Sequence, residues 1–470
     1  MALGKRKLKQ DELFIPTAKL VRGPGHPFYA KLNEVLGGAG FDAWVEELCA
    51  PCYKAGGRPG IPPGVYFRML FIGYFEGIDS QRGIAWRCAD SLALRAFLGL
   101  GVTEETPVHA SMTIIRQRLP ELIFDKVFRF VLGLLEEKGL LGGKTVAVDA
   151  TTLEANAAMK SIVRKDTGED WKEFLTRLAK AEGMENPTDE DLRRLDRKRK
   201  GKKVSNEQWE SPTDGDSRIA RMKDGRTHLA YKAEHAVAVE SEAIVGSLVT
   251  FADRSDAQSA PLTLTVAQSS LVLAGSQTAI KEVVMDKGYH DNSLLAQMAK
   301  EGRRTYVPER RQKSRRWTDK PPELEKAFRA NRRRAGSDKG RQLNRWRSER
   351  CERTFAHVCE TGGGRRSWLR GILNVSKAHT LRCAAYNLGL LMRKAFGYCK
   401  PRNAAAAGAA WFFVPGAIFA LAATITGRVT TAGLIVLLRI AGISVSFNTV
   451  TPIKYPFHLK QKNMPFLTGC

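Results

Sequence analysis

Acidic residues are missing from the last quarter of this sequence, in which no Asp or Glu follows Glu360 although 14 Lys and Arg do. The region from Arg303 to Arg350 is also poor in acids, with 6 against 18 basic residues. These two regions account for the net charge of +26, so the rest of the 470-residue chain is nearly neutral. An acidic membrane surface would suit such a surplus, but its uneven distribution favours nucleic acid over a uniformly solvated surface.

The eight cysteines lack the paired spacing of a zinc ribbon, because only Cys49 and Cys52 lie close together. A thioredoxin-like motif is disfavoured too, since Tyr53 and a Gly-rich turn follow where a helix should begin. The Lys-rich start lacks the apolar core of a secretory signal peptide. We therefore expect incidental thiols in a reducing cytoplasm, with the protein associated with the nucleoid.

Long apolar runs are also scarce, with one uncharged run of 24 residues from 404 to 427. Its length would span a bilayer, yet it is rich in Ala, Gly and Thr and contains Pro415. We predict that residues 397–470 form a C-terminal extension, and we favour no membrane partner.

Residues 26–140 predict a small all-α domain, with a helix beginning near Pro63 and N-caps at Ser80 and Ser91. A further helix capped by Ser111 would carry Met112, Ile115 and Leu119 inward and Arg116, Gln117 and Arg118 outward. This pattern is typical of the recognition helix of a helix-turn-helix, and equally of an ordinary amphipathic helix with a charged face. Arg116 and Arg118 are therefore candidate DNA contacts of an N-terminal DNA-binding domain.

Two apolar strands that end on carboxylates define the candidate site. Residues 144–149 end on Asp149, and residues 283–286 end on Asp286, 137 residues later. Between them lie residues 160–226, a charged stretch with a basic run from Arg193 to Lys203, which we predict to be an inserted, partly disordered module. Alternation from Leu229 to Ala252 predicts a hairpin turned at residues 240–242, followed by a helix from about Asp256 to Leu273.

The resulting order of elements is three strands, a helix, a strand, a helix, a strand and a long basic helix. This order is that of the RNase H-like fold, a mixed α/β sheet flanked by helices, here in a catalytic domain of residues 141–396. In that fold the first and fourth strands are neighbours, so Asp149 and Asp286 should meet.

A third acidic residue is expected on the final helix, 66 residues after Asp286. Glu352 shares a helical face with Phe355 and Cys359 and borders the apolar side, whereas Glu349 lies with Arg345 and Arg353 on the polar side. We choose Glu352 and keep Glu349 as an alternative. Three converging carboxylates suit two Mg²⁺ ions, or Mn²⁺, which can promote phosphodiester cleavage.

Several blocks of this sequence resemble those of the DDE transposases of bacterial insertion sequences. Residues 148–156, 285–290 and 351–357 look like the three catalytic blocks, and residues 218–232 like the block that leads into the second strand. The resemblance extends from residue 26 to about 396, through residues 57–63 and 384–388.

The resemblance implies DNA cleavage at terminal inverted repeats and transfer of the freed 3′ ends into target DNA, with Asp149, Asp286 and Glu352 as metal ligands. It also implies double-stranded DNA as partner, a homodimer on DNA, and DNA contacts from Lys287, Tyr289, Arg350 and Arg353. Two positions depart from the family pattern, Ser348, where an Arg is frequent, and Ala238, where an acid is frequent. They leave open the alternative of a catalytically impaired DNA-binding relic.

Overall fold

The structure is a computed structural model that describes residues 25–54, 56, 60–198, 205–222, 224–310, 316–399 and 401. The uncharged run at 404–427 and the last part of the basic run after Arg193 lie outside these residues. No helix in the described ranges is long and apolar enough to cross a membrane.

Helices make up the N-terminal part of the described chain, as predicted. Ser80 and Ser91 cap helices through their side chains, accepting from the N–H groups of Gly83 and Leu94. The predicted cap at Ser111 is wrong, because the helix begins two residues earlier, at His109. The helices are α1 (Pro27–Gly38), α2 (Phe41–Cys49), α3 (Pro63–Glu76), α4 (Gln81–Asp90), α5 (Leu92–Phe97), α6 (His109–Arg118) and α7 (Glu121–Glu137).

The rest of the described chain combines strands with helices. The elements are β1 (Thr145–Glu154), β2 (Val163–Arg164), α8 (Trp171–Ala181), α9 (Asp189–Lys198), β3 (Trp209–Glu210), β4 (Arg218–Arg221), β5 (Thr227–Ala238), β6 (Ile244–Phe251), α10 (Asp256–Leu273), β7 (Glu282–Met285), α11 (Asn292–Lys300), β8 (Arg304–Tyr306), α12 (Pro322–Gly336), α13 (Asp338–Phe355) and α14 (Ile372–Phe396). A π-helical segment, Ala356–Thr361, follows α13 directly.

The main sheet has the strand order β4-β5-β1-β7-β8, and β6 also pairs with β5. The pairs β1–β7 and β7–β8 are parallel, whereas β5 is antiparallel to β1, β4 and β6. The predicted hairpin is present as β5 and β6, and its turn holds Glu242 at a φ of 69°. The predicted adjacency of the strands that lead to Asp149 and Asp286 is therefore observed.

The first strand is longer than predicted. It continues five residues past Asp149 to Glu154 and stays paired with β5, so Asp149 lies in the middle of a strand. Thr151 and Leu153 explain the extension, because their side chains are buried and continue the alternating pattern of a half-buried strand. The prediction that this strand ends on its carboxylate is wrong.

The described residues between β1 and β4 form helices, short strands and turns. Helix α8 begins with a capping box at Asp170, and helix α9 begins where Thr188 and Asp191 bond each other. The two helices share a small apolar core, which consists of Leu175, Ala179, Leu192 and Leu195. Strand β4 belongs to the main sheet, so the predicted insertion can include only the part of residues 160–226 that precedes this strand.

Helices cover both faces of the sheet. Consecutive residues of a strand point to opposite faces, and on β5 Glu234 bonds Ser259 and Thr263 of α10. Its neighbour His235 bonds Thr354 of α13 and His379 of α14 on the other face. Helix α14 also packs against α3 and α7, which joins the sheet to the N-terminal helices.

Candidate active site

Asp149 and Asp286 lie side by side because of the register between β1 and β7. Val148 is paired with Met285 in this parallel pair, and the residue that follows each of them is an aspartate. Asp286 follows the last residue of β7, and its Oδ1 accepts a 2.8 Å hydrogen bond from the N–H of Gly288. A Cβ at position 288 would lie 2.8 Å from Oδ2 of Asp256, so a larger residue here would have to displace that carboxylate.

Asp149 is held by the helix that crosses its strand. Its Oδ1 accepts from the N–H of Ala150 at 2.9 Å, and its Oδ2 forms a 2.7 Å ion pair with Nη1 of Arg347 on α13. Burial, and then the negative charge of Asp149, raise the pKa of the Cys351 thiol one turn further along α13. The helix that bears Glu349 and Glu352 therefore lies over the aspartate of β1.

Glu349 and Glu352 both lie on α13, but their side chains have different partners. Glu349 pairs with Arg353, which also bonds Glu242 at 2.7 Å, in the turn that adjoins the N-terminal end of β1. Glu352 lies three residues further along, about 60° around the helix from Glu349, and its Oε1 accepts a 3.1 Å bond from Ser348. The choice of Glu352 over Glu349 as the third acid remains a prediction.

The candidate DNA contacts on this side of the molecule differ in exposure. Lys287 is exposed beside Asp286, and the partly buried Arg350 stacks on Trp346 with 4.8 Å between guanidinium and ring centroid. Arg353 is engaged by two carboxylates. Tyr289 does not face solvent: it is 1% exposed and donates a 3.2 Å hydrogen bond to Glu234, so the prediction that it contacts DNA is not supported.

The predicted recognition helix is only partly as expected. Met112, Ile115 and Leu119 are buried, as the pattern predicts. Arg118 is exposed and stacks on Tyr53, with 4.5 Å between guanidinium and ring centroid. Arg116 turns inward instead of outward, because its Nε and Nη1 are buried beneath the cavity described below.

A buried ionic network lies behind Asp286 and escapes prediction from the sequence. Lys232 forms ion pairs with Glu234 at 2.9 Å and with Asp256 at 2.6 Å. Glu234 is fully buried and also accepts from Ser259 and Thr263, each at 2.5 Å, and from Tyr289. The sequence does contain one indication of it: Lys232 and Glu234 lie two residues apart, on the same face of a largely apolar strand. Because unpaired charges are rarely buried, this spacing predicts that the two are paired.

Two family models match the chain. One, described as a transposase domain (DUF772), matches residues 17–118, and the other, described as a transposase DDE domain, matches residues 308–392, which include α13 and Glu352. Together, these two matches support a DDE transposase of an insertion element. The predicted resemblance to these transposases is thereby confirmed, with the block at residues 351–357 inside the second match, and both domains support a transposase function. No curated protein and no solved structure matches the chain at a significant level.

The acids of this transposase have the donor set that hard cations prefer, since all of their ligand atoms are carboxylate oxygens. They do not form the tightest cluster of potential ligands. Within the described ranges, the group whose ligand atoms all lie within 4.8 Å of one another is His235, His379 and Cys383. At the carboxylate site, the guanidinium of Arg347 neutralises the charge of Asp149.

The His235–His379 pair ties the sheet to α14. The two Nε2 atoms are 2.9 Å apart, and Nδ1 of His235 lies 3.0 Å from Oγ1 of Thr354. The Thr354 hydroxyl donates to the carbonyl of Cys351, so it accepts from His235, whose Nε2 then accepts from His379. Burial lowers the pKa of His379 to about 3 and lowers that of His235 well below 6.5.

These lowered pKa values predict a loss of stability in mild acid. Between the unfolded pKa near 6.5 and the folded pKa, the unfolded state binds more protons, so stability falls as pH falls. For His379 the slope is about 1.4 kcal/mol per pH unit. Urea unfolding at pH 6.5 and 5.0 should show a loss about 2 kcal/mol larger in the wild type than in His379→Gln. Equal losses in the two proteins would contradict the neutral histidine pair.

Proposed function

We propose that the chain cleaves DNA at the terminal inverted repeats of its element and joins the freed 3′ ends to target DNA. One observation carries the proposal: the register of β1 and β7 sets Asp149 beside Asp286, beneath the helix that bears Glu352. The strand order and the helices on both faces support the RNase H-like interpretation of this core. The distribution of basic residues supports DNA as the partner, bound by a homodimer.

Asp149, Asp286 and Glu352 would hold the divalent cations, Mg²⁺ or Mn²⁺. When bound, these ions supply the activation of water and the stabilisation of the leaving oxygen. Arg347 holds Oδ2 of Asp149, so a bound cation would compete with the guanidinium for this oxygen. Lys287, exposed next to Asp286, and Arg350 are then suited to contact the phosphates of the strand that is cut.

Two departures from the family pattern bear on the alternative of an inactive DNA-binding relic. Ser348 supplies a neutral hydrogen bond to Glu352 where an arginine would supply a charge. Ala238 is fully buried, paired with Val146 at the end of β5. Neither position removes one of the three acids, so the arrangement favours the active enzyme.

The test is cleavage of a plasmid that carries the ends of the element. Full-length protein with Mg²⁺ should nick this plasmid, and Asp149→Ala and Asp286→Ala should abolish nicking while DNA binding persists. Glu301→Gln, at an exposed acid beyond the last turn of α11, is the matched control and should nick at the wild-type rate. Nicking that survives Asp286→Ala would refute the proposal, and wild-type protein that binds but never nicks would establish the relic.

A further inference from the structure

A cavity of about 290 Å³ lies between the N-terminal helices and the catalytic part of the chain. Helices α3, α4, α6 and α7 form one side, and α14 with the loop at residues 367–369 forms the other. Its volume is near the lower end of the range of small-molecule sites, ~300–1,000 Å³. Neither Asp149 nor Asp286 lines this cavity.

Arg116 brings an unsatisfied cation to this cavity. Its Nε and Nη1 are buried and have no hydrogen-bond partner among the described residues. Burial lowers the pKa of this guanidinium. Buried donors of a charged group that lack an acceptor are costly, so their retention indicates an acceptor that the protein itself does not provide.

A second cation lies beside Arg116. Lys377 of α14 is 8% exposed and donates one hydrogen bond, of 3.2 Å, to the carbonyl oxygen of Arg116. An ammonium group has three donors, so this bond leaves capacity for an anion. Arg382 also lines the cavity, and the acidic residue in the lining is Asp79. Asp79 accepts a 2.7 Å hydrogen bond from Trp368. The lining therefore carries an excess of positive charge.

The remaining walls are aromatic. Tyr66, Tyr74 and Phe124 contribute from the helical side, and Trp368, which is 49% exposed, stands at the opposite side. Aromatic rings next to cationic donors are the surroundings in which proteins bind a nucleobase and its phosphate together.

We propose that this cavity binds a nucleotide, with its phosphate on Arg116 and Lys377 and its base against the aromatic wall. The nucleotide is either free or part of an unpaired DNA strand. The second source rests on the proposed function, and the first does not.

Two probes distinguish these sources, dAMP and a fluorescein-labelled single-stranded oligonucleotide, each titrated into the full chain without divalent metal. We expect Arg116→Gln and Lys377→Gln to weaken binding ~10–100-fold, the usual worth of charge-assisted hydrogen bonds. Lys126→Gln, which removes an exposed charge on α7, is the matched control and should bind as the wild type does.

Loss of dAMP affinity alone identifies a free nucleotide, and loss of oligonucleotide affinity identifies a DNA strand; either result supports the site. Affinities for both probes that are unchanged in Arg116→Gln would overturn it. Folding is checked by thermal unfolding without ligand, in which Arg116→Gln should melt no lower than the wild type, because it removes an unpartnered buried cation. The metal-dependent nicking assay is separate, so a failed cavity and a failed active site give different results.

Discussion

Replacing Glu352 by glutamine should reduce DNA nicking at least about 100-fold, whereas Glu349→Gln should nick at nearly the wild-type rate. Both substitutions keep the shape of the side chain and remove one negative charge from α13. They differ only in the position on α13 at which the charge is removed. Loss of even indirect partners of a metal ligand commonly costs 10–100-fold, so removal of a direct ligand should cost at least as much.

The reason for the difference lies in what each glutamate contacts. Glu349 neutralises Arg353, whose other partner is Glu242 in the β5–β6 turn, so its role is an ion pair at the far end of the sheet. Glu352 is exposed and accepts a neutral hydrogen bond, of 3.1 Å, from the hydroxyl of Ser348 on the same helix. An exposed carboxylate whose hydrogen-bond donor is a neutral hydroxyl is suited to take a metal ion.

Two measurements decide the assignment. Nicking rates at saturating Mg²⁺ compare the two variants, and Mn²⁺ titration followed by electron paramagnetic resonance reports metal binding without turnover. Glu352→Gln should weaken Mn²⁺ binding, and Glu349→Gln should not. The reverse result in both measurements would reassign the third ligand to Glu349, and equal activity in both variants would remove α13 from the site.

The sequence predicts those parts of the site that depend on local pattern. A short apolar run followed by Asp286 and Gly288 defines where β7 ends, because buried strands are apolar and glycine permits the turn. The helical wheel of α13 separates Glu352 from Glu349 for the same reason, since a helix fixes the angle between its residues. The position at which β1 ends depends on residues that are distant in the sequence. Its extension beyond Asp149 depends on pairing with β5, which lies about 80 residues further along the chain.

The exposure of single polar side chains is the part that the sequence does not determine. Arg116 has the spacing of an outward residue, yet it turns towards α14, which comes from the other end of the described chain. Tyr289 follows a lysine and a glycine beside the site, yet it is drawn inward by Glu234 of β5. In both cases an element remote in sequence packs around the side chain, and periodicity within one segment contains no information about that element.

The network around Glu234 should be the most sensitive point of the catalytic core. Lys232→Met removes the cation that bonds both Glu234 and Asp256 and leaves a fully buried carboxylate without its charge partner. Breaking a buried ion pair in this way costs about 3–5 kcal/mol. Urea unfolding at pH 7 should show a loss of that size, and the double variant Lys232→Met with Glu234→Gln should recover much of it.

The same substitution should also reduce nicking, because the network supports the turn that carries Asp286. Glu234 accepts from Tyr289, and Asp256 lies against Gly288, so both acids hold the backbone directly after Asp286. Lys232→Met should therefore lower the nicking rate even at temperatures at which the variant is fully folded. The double variant should recover a larger share of the lost stability than of the lost nicking rate. Wild-type nicking by folded Lys232→Met would show that the network stabilises the sheet without positioning the aspartate.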